Sequence, residues 1–124
     1  MEKSLIKALK NVTENVFGMA NVPQRVYKLP IPQEVKFNIL QPGDKKLSHA
    51  PRVKVFCKDP NTGPNFSISL VEEPSVVAGD IFLSSRDLKL VLDHIKKYHE
   101  AYLKLWNNAG MDVDDLEAEM AKVQ

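Results

Sequence analysis

The chain predicts an α+β fold: an N-terminal helix, a three- to four-stranded mainly antiparallel sheet, a long amphipathic helix packed on that sheet, and a short C-terminal helix. Three observations predict it. Apolar residues alternate with other residues at period two through the middle of the chain, and they recur at spacings of three and four between residues 88 and 105. The connectors between alternating segments hold Pro and Gly, and those within the hairpins are too short for parallel crossovers. With 124 residues, 44% of them hydrophobic and 27% charged, the chain has the size and composition of one domain, residues 1–124, that can bury a core.

The first element expected is a helix within residues 1–20. Leu5, Ile6, Leu9, Val12, Val16 and Phe17 lie on one helical face between Ser4 and Phe17, and Gly18 offers a stop. This helix can stand peripheral to the sheet or pack on it. From Asn21 to Pro32 three prolines predict an extended connector, with at most a short edge strand around Arg25 to Leu29.

Three strands follow, carrying Val35, Phe37 and Ile39, then Val53, Val55 and Cys57, then Phe66, Ile68 and Leu70 on their apolar faces. Residues 41–51 read as a long loop, and Asp59 to Pro64 as the turn of a hairpin. A fourth strand, Val76 to Leu83, is interrupted at Gly79. The long helix runs from about Ser85 to Asn108 on the stripe Leu88, Val91, Ile95, Tyr98, Tyr102 and Leu105. Ser84, with Asp87 three residues on, signs its start, and Gly110 its end. Within residues 111–124, Asp112 caps a last helix over Val113 to Val123.

Composition excludes several classes. The single Cys57 forms no internal disulfide, which fits a reducing cytoplasm, and no structural zinc is expected. No apolar run reaches the roughly 18 residues a membrane span needs, and the lysine-dotted start does not read as a signal peptide. A cytoplasmic chain with no membrane contact is the expectation. The cluster Asp112, Asp114, Asp115, Glu117 and Glu119 lacks the glycine and the bidentate glutamate of an EF-hand, so helix N-terminal charge explains it and no metal is expected. His94 and His99 are five apart, about 140° around a helix, and make no ligand pair. No phosphate loop, nucleophile elbow or metalloprotease helix is present. No catalytic residue and no cofactor is assigned.

Two surfaces and one loop residue are left as candidate sites. Residues 1–58 carry 11 Lys and Arg against 4 Asp and Glu, whereas residues 59–124 carry 6 against 12, so two halves of opposite sign compose the net +1. Lys36, Arg52, Lys54 and Lys58, with Lys45 and Lys46 in the loop, can form a basic sheet surface for nucleic acid, or can simply solvate the sheet and block strand pairing. The few aromatics interleaved with them weigh against base stacking. Tyr98, Tyr102 and Trp106 form a stripe at i, i+4 and i+8 that either packs in the core or, if exposed, binds a partner or a second copy as a homodimer. His49 stands in the loop beside Pro51 and Arg52 as the one candidate loop site, and the weakest reading makes it the general base of a small hydrolase or nuclease.

Over residues 48–108 the order of residues resembles a family of short bacterial proteins, the domain of unknown function 4160 family. His49-Ala50-Pro51-Arg52-Val53-Lys54-Val55 is similar to its Pro-His-x-His-Val entry into a strand, Gly79 to the glycine after its hairpin, and Leu83 through Leu105-Trp106-Asn107 to its helix and closing Leu-x-x-Trp-type motif. The family's two histidines fall on Arg52 and Lys54, so a site built on that pair is not retained. Members often sit in gene pairs of the toxin–antitoxin kind, so the resemblance implies a partner protein more than a substrate. A non-catalytic protein-interaction module is therefore the first functional expectation and a nucleic-acid-binding regulator the second.

Overall fold

Alternation at period two places the chain's β-forming residues in a five-stranded antiparallel meander. The computed structural model describes residues 18–42 and 50–123; the expected N-terminal helix and most of the loop after Gln41 lie outside them. The strands are β1 (Gly18–Val22), β2 (Val35–Gln41), β3 (Arg52–Cys57), β4 (Asn65–Ser69) and β5 (Val76–Gly79), hydrogen-bonded in chain order. Ala20 and Val22 of β1, Phe37 and Ile39 of β2, Val53 and Val55 of β3, and Phe66 and Ile68 of β4 point to one face and are buried. Against that face lies α2 (Ser85–Asn107), which approaches β2 most closely; α3 (Val113–Ala121) packs on α2 and β1. The architecture is thus α+β, with a long helix and a short C-terminal helix on the sheet.

Three expectations are corrected. The sheet has five strands, because β1 begins at Gly18, where a helix stop was expected, and pairs along β2 from Gly18 opposite Gln41 to Val22 opposite Phe37. In place of an edge strand around residues 25–29 there is one helical turn, α1 (Gln24–Tyr27), entered from Pro23 and closed by Lys28 in the left-handed region at φ 52°. Pro23 ends β1 because it has no N–H for a ladder, while its own carbonyl accepts from the N–H groups of Val26 and Tyr27. The fourth expected strand also ends early, at Gly79. That residue sits at φ +83°, and a Cβ there would lie 2.5 Å from the Asn65 carbonyl oxygen, so only glycine fits without strain.

The helix signals are realised locally. The Ser84 hydroxyl accepts from the Asp87 N–H at 3.1 Å, while the Asp87 carboxylate pairs with Arg86 instead of completing a capping box. At α3 the box is complete: the Asp115 N–H donates to Asp112 and the Asp112 N–H to Asp115. The hairpin turn at residues 59–64 is held by the Asp59 carboxylate, which accepts from the N–H groups of Asn61 and Thr62 and is thereby held below the usual carboxylate range. Tyr98 has non-helical angles, φ −112° and ψ 19°, so α2 is two helical segments joined at a kink.

Under the kink lies an aromatic cluster. His94 contacts the rings of Tyr27, Phe37, Tyr98 and Tyr102, and its Nε2 is 2.8 Å from the Tyr102 hydroxyl. Burial first, and then the charge of Lys97, holds the imidazole down at about 4, so it is neutral near pH 7. Burial also holds the Tyr102 hydroxyl in its protonated form, well above its ordinary range.

Candidate functional site: the outer face of the sheet

The face of the sheet turned away from α2 carries the residues that alternate with the core. On β2 these are Lys36, Asn38 and Leu40, opposite Phe56, Lys54 and Arg52 of β3 or offset from them along the register, with Asn65 and Ser67 beyond on β4 and Met19 and Asn21 before on β1. None of the outward strand residues is acidic. Asn38 donates to Asn21 across the strands at 2.9 Å, and the Lys54 ammonium reaches the Pro60 carbonyl at 3.4 Å.

This face is not simply solvated. Phe56 is 3% exposed and Asn38 4%, and Ser67 is buried as well. Phe56 and Trp106 are both buried, yet neither belongs to the hydrophobic cluster between sheet and helix. Trp106 reaches the outer face from the last turn of α2. The Gln41 amide, at the end of β2, donates to the carbonyls of Leu105, Asn108 and Met111 at 3.2, 3.0 and 2.7 Å, fastening the helix end against the end of the sheet. From there the indole lines a cleft of about 200 Å³ together with Met19, Asn38, Leu40, Arg52, Lys54 and Ser67. The Arg52 Nε is buried and makes no hydrogen bond, so it is a donor awaiting an acceptor. A second cleft, of about 280 Å³, lies along the same face between Asn21, Lys36, Phe56, Lys58 and Pro60.

Of the basic residues read from the sequence, Lys36, Arg52 and Lys54 stand on this face and Lys58 at its hairpin end, where φ is 67°. Lys45, Lys46 and His49 lie outside the described residues. The aromatic stripe is not an exposed partner-binding face. Tyr102 is 0% exposed within the core, Trp106 is 5% exposed on the other side of the sheet, and Tyr98 is half-buried at the kink, so the condition for a dimer through that stripe is not met. Among the described residues no group of three or more His, Cys, Asp or Glu side chains can hold a metal. The acidic residues of α3 serve other contacts: Asp114 and Glu117 pair with Arg25, and Glu119 with Lys104 and Lys122.

Met19, Asn38, Leu40 and Ser67 also line this cleft, beyond the residues the sequence marks as candidates. A signal for them exists in the adjacent apolar pairs Ile39-Leu40 and Val55-Phe56, which within strands place apolar side chains on both faces of a sheet. Compared with protein-family models, with curated proteins and with solved structures, the chain matches none. No helix among the described residues is long and apolar enough to cross a membrane.

Proposed function

We propose that this chain is a non-catalytic protein-interaction module that receives an amphipathic helix on the outer face of its sheet. The observation that carries the reading is the pair of buried rings, Phe56 and Trp106, set apart from the core on a cleft-bearing face. A sheet that buries Phe56, Asn38 and Ser67 on the face turned away from α2 calls for a second layer, and a cleft that sets Met19, Leu40 and Trp106 among Asn, Ser, Arg and Lys is the chemistry that holds a helix by its apolar side. A partner protein is also what the resemblance to the domain of unknown function 4160 family implies.

A nucleic-acid-binding role for Lys36, Arg52, Lys54 and Lys58 is the second reading, favoured by the absence of acidic residues among the outward strand positions. Its weakness is that the two aromatic rings on that face are too buried to stack on bases.

The chain's one tryptophan makes the first reading testable. Acrylamide quenching of Trp106 should be weak in the wild-type chain and several-fold stronger in Leu40→Glu, with the far-UV spectrum unchanged. An indole as accessible as free tryptophan in the wild type would overturn the proposal. Binding of a single-stranded oligonucleotide with affinity falling steeply in salt, and lost in Lys36→Glu/Lys54→Glu, would favour the second reading instead.

A further inference from the structure

Resting on that reading of the outer face, we infer that the partner helix is acidic and that one of its Glu or Asp carboxylates enters the cleft against the Arg52 guanidinium. Alternation on β3 puts Arg52 and Lys54 on the outer face two residues apart, and Lys54 is flanked by Asn38 of β2 and Ser67 of β4. All four line the cleft of about 200 Å³, whose apolar wall includes Met19 and Leu40. That volume is below the roughly 300 Å³ at which small-molecule pockets begin, so the cleft suits one side chain of a partner better than a cofactor. The five strands contain no acidic residue, so they supply no counter-charge of their own.

The cost of covering this face fixes the sign of the partner. Arg25, Arg86, Lys89, Lys96, Lys104 and Lys122 each pair with a carboxylate of this chain. The Arg52 guanidinium, by contrast, makes no ion pair or hydrogen bond with any described residue, and the Lys54 ammonium reaches the Pro60 carbonyl. A helix laid on the face removes both cations from water. The Lys54 ammonium can stay wet at the end of its flexible stem. Arg52 has no such escape, because its Nε is already buried and its guanidinium never gives up its charge. A covering layer of apolar side chains alone therefore leaves a charge buried and unpaired, which is strongly disfavoured. A carboxylate removes that penalty by accepting two parallel N–H bonds from the guanidinium, with Nε among the donors once the side chain turns that edge to the cleft. Apolar residues three and four positions from the carboxylate on the partner helix then meet Met19 and Leu40.

The test uses the full chain and two synthetic probes, Ala- and Gln-rich amphipathic helices of about 18 residues with one leucine stripe, identical except for Glu or Gln at the centre of that stripe. Affinity is read from the fluorescence of Trp106, which lines the cleft, and a ¹⁵N-labelled sample reports the Arg52 Nε–H signal. The Glu peptide should bind roughly tenfold more tightly than its Gln twin and should shift that signal, as a charge-assisted bond requires. The preference should vanish in Arg52→Gln and survive only in part in Arg52→Lys, which keeps the charge without the fork. A preference that persists in full in both variants would assign it to other cations and overturn the inference. Equal binding of the two peptides overturns it as well, but leaves the helix-receiving reading standing. Binding of neither peptide, with the Arg52 signal shifted by 3-phenylpropionate and not by its amide, would move the cleft to a free small acid and overturn a helix as the source of the carboxylate. Absence of all these responses overturns the inference together with the reading beneath it.

Discussion

Acidification from about pH 7.5 to about pH 4.5 should destabilise the fold by about 2–3 kcal/mol through His94 alone. The imidazole is 7% exposed among the rings of Tyr27, Phe37, Tyr98 and Tyr102, and its titration is held down to about 4 from 6.5. Because the folded value lies below the unfolded one, the unfolded chain binds the proton first as pH falls. The stabilisation is fully present above the unfolded value, is lost as pH drops through the window between the two, and totals about 3 kcal/mol at about 1.4 kcal/mol per unit. Carboxylates with lowered titration, such as Asp59 and Glu119, add a loss of the same sign and must be separated from it. Urea unfolding of the wild type and of His94→Gln at both pH values makes the separation, since the glutamine cannot titrate but retains an amide for the Tyr102 hydroxyl. The wild type should lose more stability than the variant by the stated margin. Equal losses in the two proteins would show that His94 is not a buried neutral base, and the account of the core under the kink would fail with it.

Three further substitutions probe the elements that position the site. Tyr102→Phe removes the hydroxyl 2.8 Å from His94 Nε2 and should cost about 1–3 kcal/mol in the same unfolding assay, with little change in far-UV signal. Gly79→Ala places a Cβ against the Asn65 carbonyl at positive φ, and should lower stability by about 1–3 kcal/mol; a neutral result would mean that the end of β5 relaxes freely. Gln41→Leu leaves the carbonyls of Leu105, Asn108 and Met111 without their shared donor, costing about 1–3 kcal/mol and shifting Trp106 emission to the red as the helix end loosens.

The elements that could be read in advance are those whose residues answer to local geometry. Val53, Val55, Phe66 and Ile68 alternate because a strand turns successive side chains to opposite faces, and they are buried in that register. Ser84 and Asp112 cap their helices through partners three residues away. β1 has no local signature because five residues containing Gly and Asn, closed by Pro23, carry little β preference and are held by pairing with β2. The single turn α1 is too short for a helical period to show.

The site was half legible. Lys36, Arg52 and Lys54 were placed together on one sheet face by alternation alone, and that face is where they stand. The stripe Tyr98, Tyr102 and Trp106 was misleading for a physical reason. Each step of four residues drifts about 40° around a helix, and the kink at Tyr98 shifts the phase again. Tyr102 therefore enters the core while Trp106 leaves it.

By itself, then, the order of residues determined the antiparallel strands of the middle, the two C-terminal helices with their caps, and the sign of charge on the outer face, because each depends on neighbours within a few residues. Only the tertiary structure decided that His94 is neutral and enclosed, that β1 completes the sheet, and that Trp106 lies on the far side of it. Those outcomes depend on contacts between distant segments, as when Gln41 of β2 fastens the end of α2, and no local period encodes which surfaces such a contact will bring together.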